Sequence, residues 1–282
     1  DVAVFTNLGY DHIGKGEHES FSDYMESKRR IFTDFGVGLA VVNSDDKMGE
    51  YMARGVSRVI RVGENKSDLK LSSVRAGSEG ISFLLDGNFC NTRMLGEYNA
   101  ANLSLAAVAA SEILQIPLSQ ALVPLSSFSV TGRFERIEHL GRHFVIDYAH
   151  NAMSAEALLS ECRKITSGRI IAVFGSVGGR SRLRRGELAR AVSKYADFSV
   201  ITSDNPDCEP ADEICKEILS EFPADAAVLS VTDREQAIRY AFYISRRGDL
   251  IALMGKGHEQ YQRINGMKIP FSERDIITSL RE

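Results

Sequence analysis

Apolar residues recur along the chain in two rhythms, and their alternation predicts an α/β protein. Val2-Ala3-Val4-Phe5, Gly38-Leu39-Ala40-Val41-Val42 and Arg58-Val59-Ile60-Arg61-Val62 are short strand-like runs, the first two separated by helical periodicity. From Asp68 to Leu95 the texture changes to three strand-like runs, 69–74, 80–85 and 88–95. Asp86-Gly87 joins the last two and is a strong hairpin signal, so this stretch reads as an antiparallel meander. A helix is expected from near Asn99 through Ala110, and a short one over 118–122. Further on, strands at 134–138, 143–147, 170–174, 198–202, 226–229 and 250–254 alternate with helices at 155–165, 187–194, 210–221 and 233–246. Near-continuous apolar strands alternating with helices predict a mostly parallel sheet covered on both faces. The small, polar and unpatterned stretch 126–132 is the best boundary, dividing the chain into 1–130 and 131–282.

One helical stripe contains a residue that does not belong to it. In the segment that begins Ser20-Phe21-Ser22-Asp23, apolar residues recur at Phe21, Met25, Phe32 and Phe35, and Ser20 with Asp23 resembles an N-terminal cap. Lys28 fills the gap in that stripe and is expected to face inward among aromatic rings. An ammonium there must be neutral, paired or modified, unless it snorkels along its stem to water. The strand Val2–Phe5 delivers Asp11-His12 to a polar turn just upstream, which favours a built site.

Composition narrows the picture only modestly. A formal net charge of -4 argues against nucleic acid or an anionic membrane as main partner. No apolar run is long enough to cross a bilayer as a helix. The cysteines Cys90, Cys162, Cys208 and Cys215 show no metal-ligand spacing and read as reduced thiols of a cytoplasmic protein. The chain opens on Asp1 directly in a strand, which looks like the middle of a longer protein.

Ligands of open parallel sheets bind beyond the carboxyl ends of the strands. Four polar clusters fall there: Asp147-Tyr148-Ala149-His150, the glycine- and arginine-rich 175–185, Asp204-Asn205-Pro206-Asp207 and Gly255-Lys256-Gly257-His258-Glu259. The glycine-rich loop either cradles phosphate through backbone N–H groups or is a solvated turn. Asp204–Asp207 by itself also suits a turn before a helix. Gly255–Glu259 lacks the spacing of a Walker loop. Asn99 and Asn102 sit one turn apart at a helix start, where capping explains only one of them.

Taken in order, these motifs resemble the Mur ligase family, in particular the branch that adds the third residue of the peptidoglycan stem peptide. The resemblance rests on Thr6-Asn7 through Asp11-His12, Glu26-Ser27-Lys28, Glu97-Tyr98-Asn99-Ala100-Ala101-Asn102 and Gly132-Arg133-Phe134-Glu135. It continues through Asp147–His150, Asp204–Pro206 and Gly255–Glu259, and covers nearly the whole chain. It implies that 1–130 is the latter part of a central P-loop-type ATPase domain. Residues 131–282 would be a C-terminal Rossmann-like ligase domain. The family's phosphate loop would lie upstream of Asp1, so the chain alone is expected to be inactive.

The activity implied is ATP-dependent amide-bond formation through an acyl phosphate on UDP-N-acetylmuramoyl-dipeptide, with ATP and magnesium as cofactors. The protein is expected to be a cytoplasmic monomer. By the same resemblance, His12 and a carbamylated Lys28 would be the catalytic metal ligands. Asn99, Asn102, Arg133, Asp147 and His150 would contact nucleotide. Arg180, Asp204, Asn205, Asp207, Gly255 and Glu259 would hold the incoming amino acid. Enzymes of this branch that use meso-diaminopimelate carry arginine at the position of Asp207. An acid there would repel a second carboxylate, so lysine or ornithine is expected instead. Alternatives are a folylpolyglutamate synthetase-like ligase or a non-catalytic nucleotide-binding fragment.

Overall fold

The computed structural model describes residues 1–10, 13–14, 17–179 and 182–282. It divides into two compact units, Asp1–Ser129 and Val130–Glu282, each an α/β layer structure. In the first unit the elements are β1 (Val2–Phe5), α1 (Phe21–Thr33), β2 (Leu39–Asn43), α2 (Gly49–Met52), β3 (Arg58–Gly63), β4 (Leu69–Gly77), β5 (Gly80–Leu85), β6 (Asn88–Thr92), α3 (Tyr98–Leu114) and α4 (Leu118–Leu122). The sheet runs in the order β1-β2-β3-β4-β5-β6, parallel as far as β4 and antiparallel beyond it.

Strand β2 explains why both faces of this sheet are covered. Leu39 and Val41 join a core with Leu103 and Val108 of α3, whereas Ala40 and Val42 pack with Phe32 of α1 and Met52 of α2. The expected meander is present. Asp86 and Gly87 both have positive φ, 48° and 77°, the backbone a two-residue hairpin needs.

The second unit holds β7 (Glu135–His139), β8 (Arg142–Asp147), α5 (Ala152–Ile165), β9 (Ile170–Phe174), α6 (Arg182–Tyr195), β10 (Phe198–Ile201), α7 (Ala211–Ser220), β11 (Val228–Ser230), α8 (Arg234–Ile244), β12 (Leu250–Met254), β13 (Tyr261–Ile264), β14 (Met267–Pro270) and α9 (Glu273–Ser279). Its main sheet has the order β11-β10-β9-β12-β8-β7, parallel except for β7 at the edge. Every residue of β9 and β12 is buried. Phe144, Ile171, Val173, Ile251 and Leu253 form one face of the core with α8 and α9, each worth about 1.5–3 kcal/mol when removed from water. Helices α5, α6 and α7 cover the other face.

Several elements differ from those expected, among them the short helix α2. Helix α6 begins at Arg182 rather than near Glu187. The hairpin β13–β14 and helix α9 were not anticipated, although Asn265-Gly266, with φ of 50° and 77°, is the same kind of turn as Asp86-Gly87.

Candidate functional site

The parallel register of β8, β12, β9 and β10 brings their carboxyl ends to one edge. Met254 pairs with Asp147, and Ile201 pairs with Phe174. Two side-chain clusters form at this edge.

The first surrounds Tyr148, which the sequence reading did not single out. The Arg133 guanidinium lies 4.6 Å from its ring centroid. The rings of His150 and His258 lie at 5.0 and 5.4 Å. His150 is fixed by Tyr148 O, 2.7 Å from its Nδ1. Burial, then the carboxylates of Glu259 and Asp204, raise the Tyr148 phenol above its ordinary value. Asp147 is buried and already used: its carboxylate accepts the N–H groups of Phe134 at 2.7 Å and Ala149 at 2.8 Å. Burial pushes its carboxyl up despite those bonds. Asp147 therefore ties the Gly132–Glu135 turn to β8, and Arg133 is the exposed cation that this turn presents.

Gly132 makes that turn possible. Its φ is +68°, and an added Cβ would fall 2.1 Å from Gly257 C and His258 N. Gly132→Ala is expected to destabilise the second unit by about 1–3 kcal/mol through backbone strain alone, with the clash adding to it. Thermal unfolding of the variant checks this; an unchanged midpoint would show that the two loops do not need their close approach.

The second cluster centres on Lys256, whose side chain is 0% exposed. Its Nζ donates to Glu259 Oε2 at 2.8 Å and Asn205 Oδ1 at 3.0 Å, and stands 3.6 Å from Asp204 Oδ1. Asn205 Nδ2 also donates to Glu259 Oε2 at 2.9 Å, while its Oδ1 accepts the Arg263 N–H. Gly255 has φ +107°, and a Cβ there would lie 2.6 Å from Asp204 Oδ2. The glycine thus lets the chain turn tightly against a buried acid. Its N–H bonds Asp147 O at 3.0 Å, which joins the two clusters. Beneath them, the fully buried Arg234 donates to Glu273 Oε1, Ser203 O and Met254 O.

Several expectations change here. Lys28 is exposed, not inward-facing. Tyr24 and Phe32 carry the buried face of α1, and the Lys28 ammonium lies 5.3 Å from the Tyr24 ring centroid. Its long stem climbs over that ring and delivers the charge to water. Among the described residues the buried lysine is Lys256. Phe35, assigned to the same stripe, is 70% exposed. Ser20 does cap α1, accepting the Asp23 N–H at 3.1 Å. His12 and Arg180 lie outside the described residues.

Asp207 is not a lone acid either. Its carboxylate accepts the Gly266 N–H at 2.7 Å and pairs with Arg263 Nε at 3.3 Å, so its charge is already compensated. Two N–H groups of the glycine-rich loop are spent within the protein: Gly178 bonds Asn205 O, and Gly179 bonds Glu209 Oε2. In the first unit Asn99 and Asn102 cap nothing. Asn99 is buried, donates to Leu95 O at 2.7 Å, and accepts from exposed Asn102 at 3.1 Å.

Magnesium is a hard cation that favours oxygen ligands. Among the described residues no group of three or more acids, histidines and cysteines could hold an ion. The described residues do not by themselves make up a magnesium site, and His12, one of the two expected ligands, lies outside them.

Arg185 was also missed. It is 1% exposed and forks onto Glu209 at 2.7 and 2.8 Å. Those bonds hold the Glu209 carboxyl below its ordinary value of 4.5. A depressed acid stabilises the fold above pH 4.5 and loses that contribution as pH falls through the folded value. Glu209→Gln is therefore expected to flatten the loss of stability below pH 4.5, read by urea unfolding at stepped pH.

With this geometry in place, the class follows. The description "Mur ligase middle domain" matches residues 1–110, and "Mur ligase, glutamate ligase domain" matches residues 132–257. The chain belongs to the Mur ligase family. It is 34% identical over 285 residues to the UDP-N-acetylmuramoyl-L-alanyl-D-glutamate--2,6-diaminopimelate ligase of Aquifex aeolicus, covering 99% of this chain and 58% of that protein. A solved structure carrying the same ligase name superposes with a TM-score of 0.58 at 28% identity, over 99% of this chain and 59% of that one. A folylpolyglutamate synthase of Mycobacterium tuberculosis shares the fold, with TM-score 0.73 at 19% identity over 90% of this chain and 61% of that one. The chain thus spans little more than half the length of these proteins. No helix among the described residues is long and apolar enough to cross a membrane.

Proposed function

We propose that this chain forms the central and ligase-domain portions of a cytoplasmic, ATP-dependent enzyme. It would join a free amino acid to UDP-N-acetylmuramoyl-L-alanyl-D-glutamate in peptidoglycan synthesis. The observation that carries the reading is one sheet edge bearing two complementary clusters. Arg133, beside Tyr148 and His150, offers positive charge to phosphate groups. Glu259, held by Lys256 and Asn205, offers an anionic acceptor to an amine.

The reaction divides accordingly. Phosphoryl transfer from ATP makes the substrate carboxylate an acyl phosphate. The neutral amine then attacks the acyl carbon, the C–O bond to phosphate breaks with phosphate taking the bonding pair, and the nitrogen loses a proton to give the amide. These residues chiefly place the two reactants, which is where most of the gain in such a transfer arises.

The name shared by the relatives supports 2,6-diaminopimelate as the amino acid. The preference for lysine or ornithine drawn from Asp207 loses its basis, because Arg263 and the Gly266 N–H already occupy that carboxylate. The test is competition by the full-length gene product among diaminopimelate, lysine and ornithine, with ATP and the UDP-linked dipeptide. Product containing diaminopimelate is expected to dominate. Dominant lysine product overturns the choice of amino acid, and absence of any product with all three overturns the ligase reading.

A further inference from the structure

We infer that Lys256 is the positioning residue of the amino-acid pocket, setting the geometry of Glu259 and Asn205 without itself touching substrate. The inference rests on the ligase reading and deepens it.

Lys256 Nζ is buried and has three hydrogens to place. Two are committed, to Glu259 Oε2 and Asn205 Oδ1, and Asp204 Oδ1 is the nearby acid for the third. Because Asn205 Nδ2 donates to the same Glu259 oxygen, lysine, amide and carboxylate close a triangle. The triangle fixes the orientation of the amide, and through Asn205 Oδ1 it also anchors the Arg263 N–H in β13, near the turn of the β13–β14 hairpin.

Formal charge supports the same role. One ammonium faces two carboxylates, Asp204 and Glu259, which leaves one negative charge over. The Asp204 side chain is 2% exposed and faces the Lys256 ammonium, so it is out of reach of solvent. Glu259, 12% exposed, is the acid an outside group can reach. A substrate ammonium arriving at Glu259 would bring the cluster to neutrality. Lys256 thereby holds the receiving carboxylate in place while leaving its charge only partly compensated.

The single change Lys256→Met would strand two buried acids, so the comparison uses Asp204→Asn against Asp204→Asn/Lys256→Met in the full-length protein. The expected result is an amino-acid KM at least ten-fold higher in the double variant than in Asp204→Asn, with the ATP KM changed less than two-fold. Hydrogen exchange of the Arg263 amide should speed at least ten-fold, while the Ile171 amide in β9 stays protected. An amino-acid KM equal in the two variants, or a parallel rise in the ATP KM, would overturn the positioning role. So would unchanged exchange at Arg263. If the wild-type protein forms no product with any amino acid, the ligase reading falls, and the exchange result alone decides whether Lys256 sets this loop.

Discussion

Replacing Arg234 with methionine is expected to destabilise the second unit by about 3–5 kcal/mol, because it leaves a buried acid without its partner. Arg234 and Glu273 are 0% and 2% exposed. Only one Glu273 oxygen is engaged, since Arg234 Nε and Nη2 both reach Oε1 while Oε2 is buried without a hydrogen bond. Burial pushes the Glu273 carboxyl up, with the arginine opposing the shift. The guanidinium also closes two backbone carbonyls, Ser203 O beyond β10 and Met254 O at the end of β12. The double variant Arg234→Met/Glu273→Leu should recover most of the loss, because a buried ion pair is often matched by packed apolar side chains. Urea unfolding of the four proteins in a double-mutant cycle measures this. A double variant as unstable as the sum of the singles would mean that the carbonyl contacts, not the charge pair, dominate.

Lys256→Met should be comparably severe, at about 3–5 kcal/mol, for a related reason. Asp204 and Glu259 lose their shared cation, and Asn205 loses a donor. Adding Asp204→Asn is expected to restore part of the stability by removing one stranded charge. The thermal midpoints of wild type, single and double variants report it. A single variant as stable as wild type would show that water reaches this cluster more freely than its burial implies.

The sequence made the framework readable because period-two and continuous apolar runs depend on local pattern alone. β9 and β12 are buried at every position and read as such. The motifs at the strand ends were also legible, since topology alone brings Asp147, Asp204 and Gly255 to one edge. What could not be read was the direction of long side chains. Lys28 sits four residues from both Tyr24 and Phe32, on the line a buried residue would occupy, yet its four-carbon stem carries the charge out. Lys256 stands two residues past a fully buried strand and three before an acid, a signal that was present but lost within a glycine-rich motif. Asp207 looked like a free charge because its neutralising partner, Arg263, lies on a hairpin far along the chain. Pairings of that kind are properties of tertiary structure, and one-dimensional pattern does not encode them.

The contrast between the two lysines has a practical side. An acylating reagent dissolved in water meets the amine at position 28 on the outside of its helix. The amine at position 256 stays walled in until the strand edge around it opens. Covalent labelling of the intact protein would therefore sort the two amines by depth rather than by basicity.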